Sequence, residues 1–559
     1  MTHRFAGVLV IASAALAAVA QASQSAVRAP EGFAIAGIVV SSVTGQPVSG
    51  ATVLISAVTA RASGQALTTG VDGRFSFAGL PRGKYSLEAG GKGYRQQGLD
   101  QHDAYATAVA VGPELDSEHI VFRLQPDASV EGRVIDDQNE PVENASVQLF
   151  VKNTEQGQEK ASPRGHANTD DRGYYQIGYL APGTYYLVVG AHPWYAQHSV
   201  RDQLSADHGD PENLAHARQE AAELDKTYPL TFYPNVLDSA EAGTIRLSAG
   251  DHFSADVTLQ AVSAVHLRVH GRSKNPGENG PGSQVNLMQR VFDQLQPPIQ
   301  GVGMMSASGS GTVEVTGLAP GRYLVEARPY PASGKADSST GWFQELDLAG
   351  DVDLTVGSSQ PFAEVSGILR FEGGPPPRNP VFVQISGHDS GDLIHAPVQP
   401  NGQFTFRDDP VRPGRYDIVL GNAQGFALQK IAATGASVSG RTLEITTAGA
   451  VHLAGIASPG IGQVEGTALR KGKPVAGAMI VLVPRDPGHN QPLFRRDQSD
   501  SDGTFTLANV VPGAYTAVAI DNGWDLEWAN PTVLQSYLKG GTPVQVLPQS
   551  KLEIAAQVQ

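Results

Sequence analysis

The sequence predicts an all-β chain of tandem Greek-key β-sandwich modules, and three observations carry that expectation. A turn–strand–turn–strand segment recurs five times, and short apolar–polar alternations fill the intervals between its copies. Glycine (63) and proline (37) are abundant, while apolar residues still make up 41% of the 559-residue chain. That combination belongs to many turns between short strands with buried faces, not to a disordered chain.

The chain opens with Met1, Thr2, His3 and Arg4, followed by an apolar, alanine-rich run from Phe5 to Ala20 and the small-x-small triplet Ala20-Gln21-Ala22. A charged start, a short apolar run and a cleavage triplet predict a signal peptide over residues 1–22, cut after Ala22. The apolar run is shorter than the ~20 residues a bilayer-spanning helix needs, and no later run reaches that length, so no membrane span is expected after cleavage. Export to the periplasm, the cell surface or the medium follows as the expected localisation.

The recurring segment appears first as Asp72-Gly73, Phe75, Phe77, Leu80, Gly83 and Tyr85. It returns as Asp171-Arg172-Gly173, Tyr175, Ile177, Leu180, Pro182-Gly183 and Tyr185, and then as Gly311, Val313, Val315, Leu318, Pro320-Gly321 and Tyr323. The last two copies are Asn401-Gly402, Phe404, Phe406, Val411, Pro413-Gly414, Tyr416 and Asp502-Gly503, Phe505, Leu507, Val510, Pro512-Gly513, Tyr515. First glycine and tyrosine stand 12 residues apart in four copies and 14 in the fourth. Asp-Gly or Asn-Gly supplies the positive φ of a tight turn. The alternating pair puts two apolar side chains on one strand face, and Pro-Gly turns the chain again. The tyrosine opens the next strand, so the segment reads as a hairpin, with the tyrosine hydroxyl a candidate for the backbone-bonded corner of Greek-key sandwiches.

A second element precedes the first by about 35 to 40 residues: Gly37-Ile38-Val39-Val40 with Gln46-Pro47-Val48-Ser49-Gly50-Ala51 in the first module, Gly132-Arg133-Val134 with Glu140-Pro141-Val142 in the second, and Gly466-Thr467-Ala468 with Lys473-Pro474-Val475-Ala476-Gly477-Ala478 in the last. The fourth copy is degenerate around Gly367 and Pro375-Pro376-Pro377, and the third keeps only fragments. About seven short strands per module are expected, in modules spanning 30–125, 126–262, 263–357, 358–460 and 461–559.

The pairing of Gly-x-Val…Pro-Val-x-Gly-Ala with Asp-Gly-x-Phe…Pro-Gly-x-Tyr resembles the carboxypeptidase regulatory-like domain family. The resemblance is good in modules one, two and five and weak in three and four. It implies an immunoglobulin- or transthyretin-like sandwich, similar in appearance to collagen-adhesin B repeats and grouped with carbohydrate-binding-like folds. It also implies an accessory, binding or structural role, since the family is named for what its domain is appended to and not for an activity of the domain.

One stretch of the second module does not alternate. Asp210-Pro211-Glu212 reads as an N-cap with proline at the first helical position, and Asn213–Lys226 lacks glycine and proline, so a short helical insertion is predicted near 211–226. Trp194, Tyr195 and Tyr233 flank it, and Trp524 and Trp528 follow the last copy of the repeat. These five aromatics are the candidate ligand-binding residues, able to stack on sugar rings or anchor a partner. The alternative is ordinary packing against a sandwich edge.

Composition excludes several chemistries. The chain has no cysteine, which removes disulfides, thiol catalysis and cysteine-held metal. Its formal net charge of −15, or −16 without Arg4, argues against nucleic acid as the partner. No nucleophile elbow, zinc-protease helix or phosphate loop occurs. His192 and His198 lie near Trp194 without a metal-ligand spacing, and Gln498 and Asn509 stand where an EF-hand around Asp500 and Asp502 would need acids. The Asp170-Asp171 and Asp500/Asp502 pairs read as turn residues, with weak calcium binding left open. Neither a metal nor a cofactor nor a catalytic residue is expected. The expected function is an exported, non-catalytic array, extended as a semi-rigid rod, that binds a polysaccharide or an envelope protein. The alternatives are a hydrolase accessory with a weak site in a degenerate module and a purely structural spacer.

Overall fold

The computed structural model describes residues 32–59, 64–154, 157, 159–198, 211–270, 283–292, 294–299, 304–306, 312–329, 341–355, 360–388, 393–406 and 411–559. The expected signal peptide, Asp210 and Gly311 fall outside them.

The same pairing recurs five times along the chain. In the first module the opening strand Phe33–Ser41 pairs antiparallel with Arg74–Leu80 and parallel with Ile120–Leu124. In the second, Ala128–Asp136 pairs with Tyr174–Leu180 and, in parallel, with His252–Ser254 and Val257–Leu259. Val265–His270, Glu364–Phe371 and Gly462–Arg470 take the same place in the remaining three, each between an antiparallel strand of the repeat and a parallel closing strand. Parallel strands need a crossover connection, and here the chain between them runs through a second sheet, which makes each unit a two-sheet sandwich.

The facing sheet of each module is built on an antiparallel pair: Thr52–Ala57 with Gly83–Gly91, Ser146–Asn153 with Gly183–Gly190, Ser283–Val291 with Gly321–Pro329, Phe382–Gly387 with Gly414–Gly421, and Met479–Pro484 with Gly513–Ile520. This corrects the hairpin reading of the repeat. Its two strands, such as Arg74–Leu80 and Gly83–Gly91, lie in opposite sheets, and the Pro-Gly turn carries the chain across the sandwich. The tyrosine fastens that crossing. Tyr85, Tyr185, Tyr323, Tyr416 and Tyr515 each donate the hydroxyl hydrogen to the backbone carbonyl four residues earlier, at 2.7 to 3.0 Å. A buried phenol thereby keeps its hydrogen bond while holding the corner closed.

The alternating pairs fill the cores as expected. Phe75 and Phe77 are buried with Ile35, Val39, Val53 and Phe122 in the first module, and Phe505 and Leu507 with Val464, Ile480 and Ala517 in the last. The third and fourth modules, whose sequences are degenerate, have continuous cores of the same kind. The opening-strand glycine has a steric cause. A Cβ on Gly37 would stand 2.1 Å from the carbonyl oxygen of Ile120 in the parallel closing strand, and one on Gly466 would stand 2.3 Å from that of Ile554.

Turn chemistry accounts for the repeated acids. Asp170 Oδ1 accepts the backbone N–H of Arg172 and Tyr174, and Asp502 Oδ1 accepts that of Thr504. The predicted helix, α1, runs Pro211–Leu224, two residues shorter at its end than expected. A second helix, α2, was not anticipated. It runs Pro531–Leu538, with Asn530 as N-cap accepting the N–H of Thr532 at 3.0 Å.

The modules do not extend as a rod. Each packs on the next, and the last also packs on the first and second. Phe292 of the third module sits among Phe150, Tyr186 and Phe232 of the second, with ring centroids 4.9 to 5.5 Å apart. Arg412 of the fourth pairs with Glu326 of the third at 3.1 Å, both buried. The N–H of Arg441 in the fourth donates to the carbonyl of His489 in the last at 2.7 Å. The last module then meets the first through the contacts described below, so the five sandwiches form a closed circuit. The rod expectation assumed that only consecutive modules touch.

Candidate functional site: the junction of the first, second and last modules

The turn Asp500-Ser501, read from sequence as turn chemistry, also carries the first module. Asp500 Oδ1 accepts the N–H of Ala108 at 2.9 Å, the N–H of Ser501 donates to the carbonyl of Ala108 at 3.0 Å, and Ser501 Oγ accepts the N–H of Ala110 at 2.9 Å. The Lys84 ammonium lies against the Asp500 carboxylate. Burial pushes the Asp500 pKa up, and Lys84 opposes the shift. Gln498, 1% exposed, spends its whole amide on the first module. Its Nε2 donates to the carbonyl of Asp100 and to Thr107 Oγ1, both at 2.8 Å, and its Oε1 stands 3.1 Å from His102 Nδ1.

Beside these bonds Arg496 is enclosed. Its guanidinium pairs with Asp103 of the first module at 2.8 Å, and its Cζ stands 4.9, 5.5 and 4.7 Å from the ring centroids of Tyr105, Trp524 and Trp528. Three ring faces and one carboxylate surround the guanidinium, whose Nε and Nη1 are buried without a hydrogen-bond partner. His102 stacks on Trp524 at 4.8 Å with the planes 8° apart. The second module joins through Gly157, whose carbonyl accepts the N–H of Ala529 at 2.9 Å, and through the N–H of Glu159, which donates to Glu527 Oε1 at 3.0 Å.

Docking of the three modules leaves two clefts, both bordered by Gln97 and Gln101. The larger, of about 1250 Å³, lies between the first and last modules and is lined by Lys84, Glu88, Gln96, Asp497, Asp500 and Glu553 among others. The smaller, of about 600 Å³, lies where all three meet and is lined by Arg95, Gln125, Lys152, Arg164, Thr184 and Trp524 among others. Burial pushes the Asp497 carboxyl up to about 6 against the pull of two backbone donors, the N–H groups of Thr506 at 2.7 Å and Gln498 at 2.9 Å. Asp497 and Asp500 are thus both engaged by fixed donors of the protein. Among the described residues no group of three or more histidines and acids is placed to hold a metal ion, and no helix is long and apolar enough to cross a membrane.

The five aromatics singled out from the sequence are placed differently from one another. Trp524 and Trp528 come together around Arg496, with Trp524 only 7% exposed yet contributing to the wall of the smaller cleft. Tyr233 is half-buried against the second module's core, its ring edge-on to Phe253 at 6.1 Å. Trp194 is 83% exposed and stands perpendicular to the half-buried Tyr195 at 5.9 Å. Lys84, Arg95, Arg164 and Arg496 were not singled out, and Gln498 only as a residue that breaks a calcium-loop pattern, because their neighbours come from distant parts of the sequence.

The family model of the carboxypeptidase regulatory-like domain matches residues 34–115 and 129–217. No curated protein matches the sequence. Among solved structures, similarity extends to a streptococcal ancillary pilin (12% identity, 58% of this chain and 98% of that one, TM-score 0.19) and to the Bacillus anthracis TIE protein (14% identity, 74% and 68%, TM-score 0.14). It extends also to two B repeat units of the collagen binding protein of Staphylococcus aureus (11% identity, 76% and 100%, TM-score 0.12). The strand pairing described above establishes the sandwich fold without them. The two matched stretches lie one in each of the first two modules, in tandem.

Proposed function

We propose that this chain is an exported, non-catalytic scaffold that binds a polysaccharide at the junction of its first, second and last modules. The observation that carries this reading is the smaller cleft, where Trp524 offers an indole in a wall otherwise rich in amides, hydroxyls and charges. Sugars present dense hydroxyl edges, and such a polar lining offers hydrogen-bond partners to them beside the small exposed part of Trp524. The engagement of Asp497 and Asp500 by backbone donors and Lys84 supports a binding role over acid–base chemistry. The filled cores of the third and fourth modules likewise give no support to a hydrolytic site there.

The exposed Trp194 favours a second reading, in which it forms a platform with Tyr195 for a glycan or an envelope protein. A pull-down of the chain from Ser23 onward on starch, cellulose, chitin and peptidoglycan separates the two. Retention that survives Trp194→Ala and is lost in Trp524→Ala is the expected result. Loss in Trp194→Ala alone moves the site to the platform, and retention on no polysaccharide removes glycan binding altogether. Export is tested by the N-terminal sequence of the secreted protein, which is expected to begin at Ser23.

A further inference from the structure

We infer that the smaller junction cleft is a site for an acidic saccharide, held through the guanidinium groups of Arg95 and Arg164. The inference rests on the glycan-binding reading above and names the class of glycan.

Arg95 comes from the strand Tyr94–Gly98 of the first module and Arg164 from Lys160–Asn168 of the second, so the pair exists only because the modules are docked. In a chain of net charge −15, two arginines facing one space would be expected to find carboxylates. Here the carboxylates of the cleft are otherwise engaged. Asp103 is held by Arg496 at 2.8 Å and Glu159 by Lys152 at 2.8 Å, which leaves Asp525. Among the described residues neither Arg95 nor Arg164 has a side-chain ion pair or hydrogen bond within contact distance, and the carboxylate on which the Arg95 charge acts is Asp127, outside the cleft lining. Both guanidiniums act on the same point: burial raises the pKa of the Tyr185 hydroxyl in the cleft wall, and the charges of Arg164 and Arg95 oppose that shift.

A guanidinium presents parallel N–H donors that match the two oxygens of a carboxylate or sulfate, a fit that hydroxyl groups do not offer. Gln125 and Thr184 supply partners for sugar hydroxyls, and Trp524 contributes only a small exposed part of its side chain to the wall, its ring being covered by His102 and Arg496. The volume, about 600 Å³, falls in the range of roughly 300–1000 Å³ that small-ligand sites occupy.

The test is calorimetric titration of the whole soluble chain with three oligosaccharides of equal length: oligogalacturonate, its carboxyl-reduced neutral counterpart and a sulfated oligomer. Sodium sulfate alone serves as a fourth probe. Binding of the carboxylated or the sulfated oligomer, weakened by added salt and lost by about tenfold or more in Arg95→Gln/Arg164→Gln, is the expected result. The variant Arg133→Gln, on an exposed strand position outside the cleft, is expected to bind as the native chain does. Equal affinity for the acidic and neutral oligomers overturns the inference and leaves the glycan-binding reading standing. Sulfate binding as tight as the sulfated oligomer's overturns the saccharide part, and binding of none of the oligomers overturns both readings. The comparison of acidic with reduced oligomer uses native protein alone, so it holds even if the double variant fails to fold.

Discussion

The seam between the first and last modules and the seam between the second and third are built from opposite materials. The first is polar: backbone bonds at Ala108 and Ala110, the fully used amide of Gln498, and two charges, Arg496 and Lys84, each held by a carboxylate of or beside the other module. The second is apolar at its centre, where Phe292 enters a pocket of Phe150, Phe232 and Tyr186, with Asp225 accepting from His198 Nδ1 at 2.7 Å and His266 Nε2 at 2.6 Å at its edge. Modules two and three are held close by the chain itself, and an apolar contact with little directional demand forms the centre of their seam. Modules separated by hundreds of residues must also offset the entropy of closing that loop. Directional bonds and a desolvated charge pair fix one register there, because a misaligned approach leaves buried polar groups without partners.

The largest expected effect follows from removing the enclosed guanidinium. Arg496→Ala leaves Asp103 without its cation and three rings facing a void, a loss of about 3–5 kcal/mol for a broken buried pair. The first module is expected to detach while each sandwich stays folded, which small-angle scattering reads as a larger radius of gyration with unchanged circular dichroism. An unaltered radius would mean that the closed circuit does not depend on this cluster. Phe292→Ala addresses the other seam. Its ring is only half-buried, so about 1–3 kcal/mol is expected, below the 3–5 kcal/mol of a fully enclosed phenylalanine. Thermal unfolding is the measurement, and because the chain still joins modules two and three, the radius of gyration should change less than in Arg496→Ala.

The two seams also differ in how far the sequence discloses them. The repeated core is legible because its determinants are local: Phe75 and Phe77 must share a strand face, and Tyr85 must reach a carbonyl four residues away. The opening strand of the third module is hard to recognise for a physical reason. Val269 stands opposite Val313 there, where Gly37 stands opposite Phe75 in the first module, so the glycine signature is gone while the pairing remains. The sheet change within each repeat was hidden because a tight turn between two alternating strands looks alike whether the strands pair or cross. Helix α2 had a readable signal in Asn530-Pro531. The junction had none. Lys84 and Asp500 are 416 residues apart, and nothing in either neighbourhood specifies the other. Between ligand stacking and ordinary packing, the sequence left Trp524 open for the same reason, since His102 and Tyr105, which cover it, belong to the first module.

The pH dependences separate the seams by window. Hydrogen bonding to Asp225 raises the His266 pKa above its usual 6.5, and the same contact holds Asp225 below its usual 3.8 despite burial. A raised histidine stabilises the fold fully below the unfolded value and loses that contribution as pH climbs through the folded one. The second–third seam should therefore weaken as pH rises above about 6.5. Asp497, beneath the first–last seam, behaves differently. Burial moves its pKa from 3.8 to about 6, so the folded state holds a proton that the unfolded state has released between those values. Stability of the last module should then fall as pH rises from about 4 to about 6 and level off beyond. Hydrogen exchange followed module by module across pH 4 to 8 distinguishes the two. Loss of protection around Gln498 and Thr506 in the lower window and around Phe292 and His266 in the upper one is the expected pattern, and a single common transition would mean that the seams open together.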